Sequence, residues 1–227
     1  MNQDLTPDLA GLVTAAHGAG RPLRIQGGAS KTWLGRAVAG EALAVAGHRG
    51  ILSYEPTELV ITARAGTPLA EIKAALAERG QWLAFEPPHF DARPAPDGRS
   101  GSDSAATLGG TIACGLSGPA RPYAGAARDF VLGVRIINGR GEVLRFGGEV
   151  MKNVAGYDLS RLMVGAQGTL GVLLEVSLKV LPRPATELTL ALDLTAEEAI
   201  DRFNRWAGQP LPLSAACHDG ERAYVRL

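Results

Sequence analysis

Four glycine clusters contain the residues whose types and spacing could do chemistry: Gln26–Ser30, Gly109–Gly118, Gly156–Asp158 and Gly165–Gly171. A glycine-rich turn leaves main-chain N–H groups bare of side chains, and several such groups converging make an anion site on an uncharged scaffold. Such a site suits the phosphate or pyrophosphate of a nucleotide cofactor. Any one cluster could be no more than a tight turn. Together, in a chain with 29 glycines and no collagen-like or linker-like period, they favour close backbone approach. Known nucleotide motifs do not account for them. GAQGTLG at Gly165–Gly171 leaves a helix and opens a strand, the reverse of the dinucleotide fingerprint. No GxxxxGK with a following serine or threonine occurs, and Gly18 and Gly20 lack a third glycine three residues on.

The other reactive side chains are scattered. His17, His48, His89 and His218 show no metal-type spacing and read as surface or packing residues, with His89, in EPPHF, placed nearest a cofactor. Lys152 and Asn153 either contact cofactor or substrate or cap the following turn. Tyr157 either donates a hydrogen bond at the site or bridges core and solvent. Arg121 and Arg128 face a pyrophosphate or Asp129, with surface pairing the default. Met151 and Met163 read as core.

The elements that must position these residues follow from local signals. Thr6, Pro7 and Asp8 predict a helix start with a hydroxyl cap, and the helix runs to His17. PLRIQ, EALAVA, GILSY and LVITAR read as short strands. Thr67 and Pro68 repeat the cap-and-proline device before PLAEIKAALAERG, whose apolar face is Leu69, Ile72, Ala75 and Leu76. Residues 86–107 are rich in proline, glycine, serine and aspartate and read as a long surface loop. DFVLGVRII and EVLRF form a hairpin around Asn138 and Gly139. GTLGVLLEVSLKVLP is one long strand closed by Pro182. A new unit follows Pro184: strand ELTLALDL, a helix opened by the Thr195/Glu198 capping box, and strands PLPLSAACH and ERAYVRL. The expected division is a first domain over 1–183 and the beginning of a second, incomplete one over 184–227.

Composition narrows the class. The 227 residues are 46% apolar, enough for a sizeable core. Lysine plus arginine and aspartate plus glutamate number 23 each, so no global field recruits nucleic acid, and a charged ligand must be held locally. Cys114 and Cys217 are too few for a disulfide framework or a metal site, which implies a reducing cytoplasm. Asp4 and Asp8 stand where a secretion signal would be basic, and no apolar run reaches membrane-spanning length. A cytoplasmic protein that meets a membrane only through partners is expected.

The ordered set RIQGGAS, EPTELVITARAGTPLAEIKAALAERG, ATLGGTIACGLSG, YAGAARDFVLGVRIINGRGEVLRFGG and MKNVAGYDLSRLMVGAQGTLGVLLEVSLKVLPRP resembles the FAD-binding domain of the vanillyl-alcohol oxidase and p-cresol methylhydroxylase superfamily. Within that superfamily it is most similar to the FAD-binding E subunits of glycolate oxidases, GEVMKNVAGYDLSRLMVG being the most particular stretch. The resemblance runs from about Pro22 to Pro184. It implies an α+β protein: a PCMH-type two-subdomain FAD-binding fold followed by the start of an α/β cap domain.

By that resemblance Gln26, Gly27, Gly28, Ala29 and Ser30 match the first pyrophosphate loop. Leu108, Gly109 and Gly110 match the second, and Gly115, Leu116, Ser117 and Gly118 continue along the flavin. Gly168, Gly171 and Val172 match the strand entry beside the ribityl chain or ring edge. Asp129 and Asp158 match acidic positions expected to hold loop amides. Ala29 stands where many relatives carry a histidine bonded to the flavin, so a non-covalent FAD is implied. The implied activity is oxidation of glycolate or a similar 2-hydroxy acid by hydride transfer to flavin. The catalytic base and acid-binding groups belong largely to the cap, and no catalytic residue is assigned. A homologous flavin subunit and an iron–sulfur subunit are the implied partners. The alternatives are a non-catalytic assembly or electron-relay subunit, and another flavin oxidoreductase of the same fold, such as one using NADPH.

Overall fold

A computed structural model of the protein describes residues 3–90, 106–148 and 156–227. Residues 91–105 of the long loop, and Met151, Lys152 and Asn153, lie outside the described residues. The chain opens with helix α1 (Thr6–Gly18) and strands β1 (Leu23–Gln26) and β2 (Glu41–Ala44). Next come β3 (Ile51–Glu55), β4 (Val60–Arg64), α2 (Leu69–Ala77) and β5 (Gln81–Trp82). Three short helices, α3 (Leu108–Cys114), α4 (Arg121–Ala124) and α5 (Ala127–Phe130), lead into β6 (Val131–Ile137) and β7 (Val143–Gly147). Helix α6 (Leu159–Leu162), β8 (Val172–Lys179) and β9 (Leu181–Pro182) follow. Then come β10 (Thr189–Leu192), α7 (Ala196–Ala207), β11 (Ala215–His218) and β12 (Ala223–Arg226).

An antiparallel five-stranded sheet, ordered β3-β4-β8-β6-β7, forms the centre. Seven of the eight residues of β8 are buried, because its neighbours cover both faces. Leu173, Val176 and Leu178 enter the main core with Leu69, Ile72 and Leu76 of α2, Ile112 of α3 and Phe85. Val172 and Leu174 enter a second core, where they meet Leu9 and Val13 of α1, Leu43 and Val45 around β2, and Ile137. The first helix is therefore anchored by residues far along the chain. β10, β12 and β11 form a separate antiparallel sheet. It meets the rest of the protein through Arg226, which binds Glu86 at 2.5 Å and lies over the Trp82 ring, while Glu187 of the same unit holds the guanidinium at 3.2 Å. The Ala216 amide also donates to the Pro119 carbonyl.

Several local expectations change. Thr6 is inside α1 and Leu5 occupies the cap position; just before it, the Asp4 carboxylate accepts from the Thr6 amide at 2.9 Å. Thr67 does not cap α2; its buried hydroxyl accepts from the Gly50 amide at 2.8 Å and ties the β3 entry to the helix start. Asn138 pairs with Glu142 across the hairpin, so the turn is residues 139–141, with Gly141 rather than Gly139 in the left-handed region. The long strand starts only at Val172, because Gly168 and Gly171 have φ of 78° and 147°. Its end is also divided: after Lys179 the chain leaves β8, and Leu181–Pro182 pairs with β5 instead. The Thr195/Glu198 capping box forms as read.

Candidate cofactor site

β1 and β2 lie side by side in parallel, Leu23 opposite Glu41 and Gln26 opposite Ala44. Parallel neighbours need a connection that returns along the strand. Residues 27–40 are that connection, and they begin as the loop Gly27–Ser30 at the C-terminal end of β1. The loop closes one side of a cavity of about 260 Å³. Facing it are Thr107, Gly109 and Gly110 at the start of α3, Ala113 and Cys114 at its end, and Gln167, Gly168 and Gly171 before β8.

The two glycine turns serve the cavity differently. In the first, the amides of Gly28, Ala29 and Ser30 donate to no other described residue, and Ala29 is held at φ 55°, a left-handed conformation that costs a non-glycine residue energy. Gln167 on the opposite wall is held likewise, at φ 51°. In the second turn the amides are committed: Gly109 donates to the Ala65 carbonyl at 2.7 Å, and Gly110 to the Thr107 hydroxyl at 3.2 Å. The expectation that both turns offer free amides is corrected here, because α3 uses the second set for its own capping and docking.

The glycines of the far wall are required by packing. A Cβ on Gly109 would come within 2.7 Å of the Ala65 methyl, and one on Gly27 within 2.6 Å of the Thr107 hydroxyl. One on Gly168 would meet Ile25 at 3.1 Å, and one on Gly171 the Ile137 carbonyl at 2.6 Å. Each glycine lets two elements close together, and a bare wall is the result.

Nine expected residues line the cavity: Gln26, Gly27, Gly28, Ala29, Ser30, Gly109, Gly110, Gly168 and Gly171. The other eight are placed elsewhere. The side chains of Leu108 and Val172 are buried in the two cores. Gly115 is the left-handed C-cap of α3. The Gly118 amide donates to Phe85, and the Ser117 hydroxyl accepts from the Ala127 amide. Leu116 is half-buried between these anchored residues. Asp129 accepts from the Ala126 amide at 2.9 Å and Asp158 from the Arg161 amide at 3.0 Å, so both hold loop amides.

Of the other candidates, His89 contacts Lys73 at an exposed position away from the cavity. Tyr157 is 75% exposed, and Arg121 and Arg128 are exposed. Met163 is buried and also touches the cavity. His48 is wholly buried behind β2; its Nδ1 accepts from the Leu5 amide, and burial pushes its pKa down, keeping it neutral.

Arg24, Lys31 and Arg36 also line the cavity, and the sequence reading passed over them. Among the described residues no aspartate or glutamate is on the lining, although the chain holds as many acidic as basic residues. Arg24 donates to the Gln26 side-chain carbonyl at 2.8 Å, and Lys31 lies 3.3 Å from the Ser30 hydroxyl. Three cations within twelve residues of a glycine loop, in a neutral chain, were the available signal. Cys114 is the lining thiol, and burial pushes its pKa up, which keeps it protonated and weakly nucleophilic.

Comparison with known proteins agrees with this geometry. A family model described as FAD binding domain matches residues 5–93 and 95–147. Glycolate oxidase subunit GlcE of Escherichia coli (strain K12) is 56% identical over 206 residues, covering 91% of this chain and 55% of that protein. Glycolate oxidase subunit GlcD of Bacillus subtilis (strain 168) is 34% identical over 140 residues, covering 62% of this chain and 27% of that protein. A D-2-hydroxyglutarate dehydrogenase of Xanthomonas citri pv. viticola is 32% identical over 143 residues, covering 62% of this chain and 28% of that protein. The chain thus spans about half of the first relative and just over a quarter of the other two. Among solved structures, an alkyldihydroxyacetonephosphate synthase superposes with a TM-score of 0.67 at 19% identity, over 92% of this chain and 36% of that one, a likeness of fold.

Proposed function

The chain belongs to the FAD binding domain family, and on that premise we propose that it is the FAD-binding subunit of a glycolate oxidase or dehydrogenase, taking part in oxidation of glycolate to glyoxylate. The observation that carries this reading is a cavity that combines open amides at Gly28–Ser30, three cations and, among the described residues, no carboxylate. The identity to a glycolate oxidase subunit along nearly the whole chain supports glycolate as the substrate class of this reading. In the reading, residues 1–183 form the cofactor unit and residues 184–227 begin the cap.

When bound, FAD supplies the hydride acceptor for the acid's carbon. The chain's own part is to hold it. The amides of Gly28, Ala29 and Ser30 would hold its phosphates, and Gly109, Gly110, Gly168 and Gly171 present a surface without side chains. Ala29 has no nucleophile and the Cys114 thiol stays protonated, so the cofactor is held without a covalent bond. Acid precipitation should therefore release all the flavin into the supernatant, and flavin that stays with the pellet would refute non-covalent binding. The two cysteines of this stretch cannot themselves supply the four ligands of an ordinary iron–sulfur cluster; the reading includes a homologous flavin subunit and an iron–sulfur subunit as partners.

A second reading has a specific observation behind it. Among the described residues no histidine, tyrosine, aspartate or glutamate lines the cavity. A base for the hydroxyl proton has to come from another segment or another subunit, which favours a relay or assembly role for this flavin. Anaerobic addition of glycolate to the purified protein separates the readings. Bleaching of the flavin band is expected for the dehydrogenase subunit, silence for the relay subunit, and bleaching by NADPH alone for a reductase of the same fold. No helix among the described residues is long and apolar enough to cross a membrane.

A further inference from the structure

We propose that Arg24, Lys31 and Arg36 form a side-chain anion site that recognises the cofactor's diphosphate and makes the cavity selective for a dinucleotide flavin over riboflavin. The inference rests on the functional reading above. Three observations lead to it. The α3 amides, which would be the uncharged source of donors on the far wall, are already bonded to Ala65 and Thr107. Among the described residues, open amides remain at Gly28–Ser30 and at Gly168 and Gly171. These amides carry no net charge, so compensation of a diphosphate's roughly two negative charges falls to side chains.

All three cations are on the lining, and all three come from the stretch that starts with β1 and runs through the parallel crossover. Arg24 and Gln26 share one face of β1, two residues apart, and the Gln26 carbonyl orients the guanidinium. Lys31 is half-buried next to Ser30, with its ammonium 5.8 Å from the Phe90 ring. Arg36 lies on the exposed turn beyond it. Arg24 and Lys31 contact neutral groups, the Gln26 side chain and the Ser30 hydroxyl, and no acidic side chain among the described residues shares the cavity. Elsewhere the buried or half-buried arginines are neutralised: Arg64 by Asp4, Arg135 by Glu175, Arg226 by Glu86 and Glu187. Uncompensated positive charge facing a pocket is costly to maintain without a bound anion.

The test is equilibrium binding to the flavin-stripped protein, followed by quenching of flavin fluorescence, with FAD and riboflavin compared at low and high salt. Wild type is expected to bind FAD much more tightly than riboflavin, with an affinity that falls as salt rises. Arg24→Gln, Lys31→Gln and Arg36→Gln should each weaken FAD binding by about tenfold or more, flatten its salt dependence, and leave riboflavin binding unchanged. Arg21→Gln, which removes an exposed partner of Glu41, is the control expected to change nothing. Arg36→Lys should recover most of the loss. If wild type binds FAD and the three variants bind it equally tightly with the same salt slope, the inference is overturned while the FAD reading survives. If wild type binds no flavin, the FAD reading itself fails. Should the variants instead lose only glycolate-dependent bleaching while keeping FAD affinity, the cations serve the substrate's carboxylate and the proposal is wrong.

Discussion

The cofactor cavity and the groove around Glu175 are both lined by arginines and glycines, yet they are built to opposite ends. In the groove, Glu175 accepts from Arg135 at 2.7 Å and Arg145 at 3.3 Å, and its carboxylate is 9% exposed. Arg64 is its register partner on β4. Charge there is satisfied within the sheet and contributes to holding β4, β8, β6 and β7 in register. In the cavity no carboxylate among the described residues faces the cations, amides stand open, and two non-glycine residues are held in left-handed backbone. Closed polar groups stabilise a fold, whereas open ones mark where a ligand completes it.

The sharpest way to break this contrast is to open the closed region. Glu175→Ala leaves Arg135 and Arg145 without their carboxylate and should cost about 3 kcal/mol in urea unfolding, the scale of a disrupted buried ion pair. Flavin affinity of the folded fraction should be unchanged; a mutant as stable as wild type would show that the groove's charges are not a structural network.

Filling the bare wall is next. Gly109→Ala places a methyl 2.7 Å from that of Ala65. It should destabilise by roughly 1–3 kcal/mol through overpacking and lower FAD occupancy in the visible spectrum, whereas Gly139→Ala, with open space around it, should do neither.

A pH dependence tests the buried histidine behind β2. Burial lowers the His48 pKa from its ordinary 6.5, Arg64 adds to the fall, and Asp4 and Glu175 oppose it. The unfolded chain therefore binds a proton that the folded chain refuses, so stability declines as pH drops below about 6.5. Thermal midpoints should fall between pH 7 and pH 5, and His48→Gln should flatten that slope. Asp4, held at about 2 mainly by its bonds to Thr6, and also by Arg64 and His48, contributes stability that persists until far lower pH and is lost only as pH falls toward that value. The smallest effect belongs to the C-terminal unit, where Thr195→Ala should cost about 1 kcal/mol by helix content and leave flavin binding intact.

Much of the fold was legible because its signals are local. The capping box at Thr195, the apolar face of α2, and the hairpin before and after Asn138 each depend on residues within a few positions. The parallel pairing of β1 with β2 was not, because nothing in LRIQ or EALA states its partner's direction. That pairing decides where residues 27–40 run, and with them Lys31 and Arg36. At the site, Gln26–Ser30 could be read because glycines adjoin a strand end. The commitment of the Gly109 and Gly110 amides could not, since Ala65 is distant in sequence and Thr107 looks like an ordinary loop threonine.

The second core orders events during synthesis. Leu9 and Val13 leave the ribosome early, but the surface that receives them is completed by Ile137, Val172 and Leu174. Until that stretch has emerged, the first helix has no dock and its greasy stripe faces water. A nascent chain stalled before Val172 should therefore be a customer for chaperones, and one stalled well past Lys179 should not.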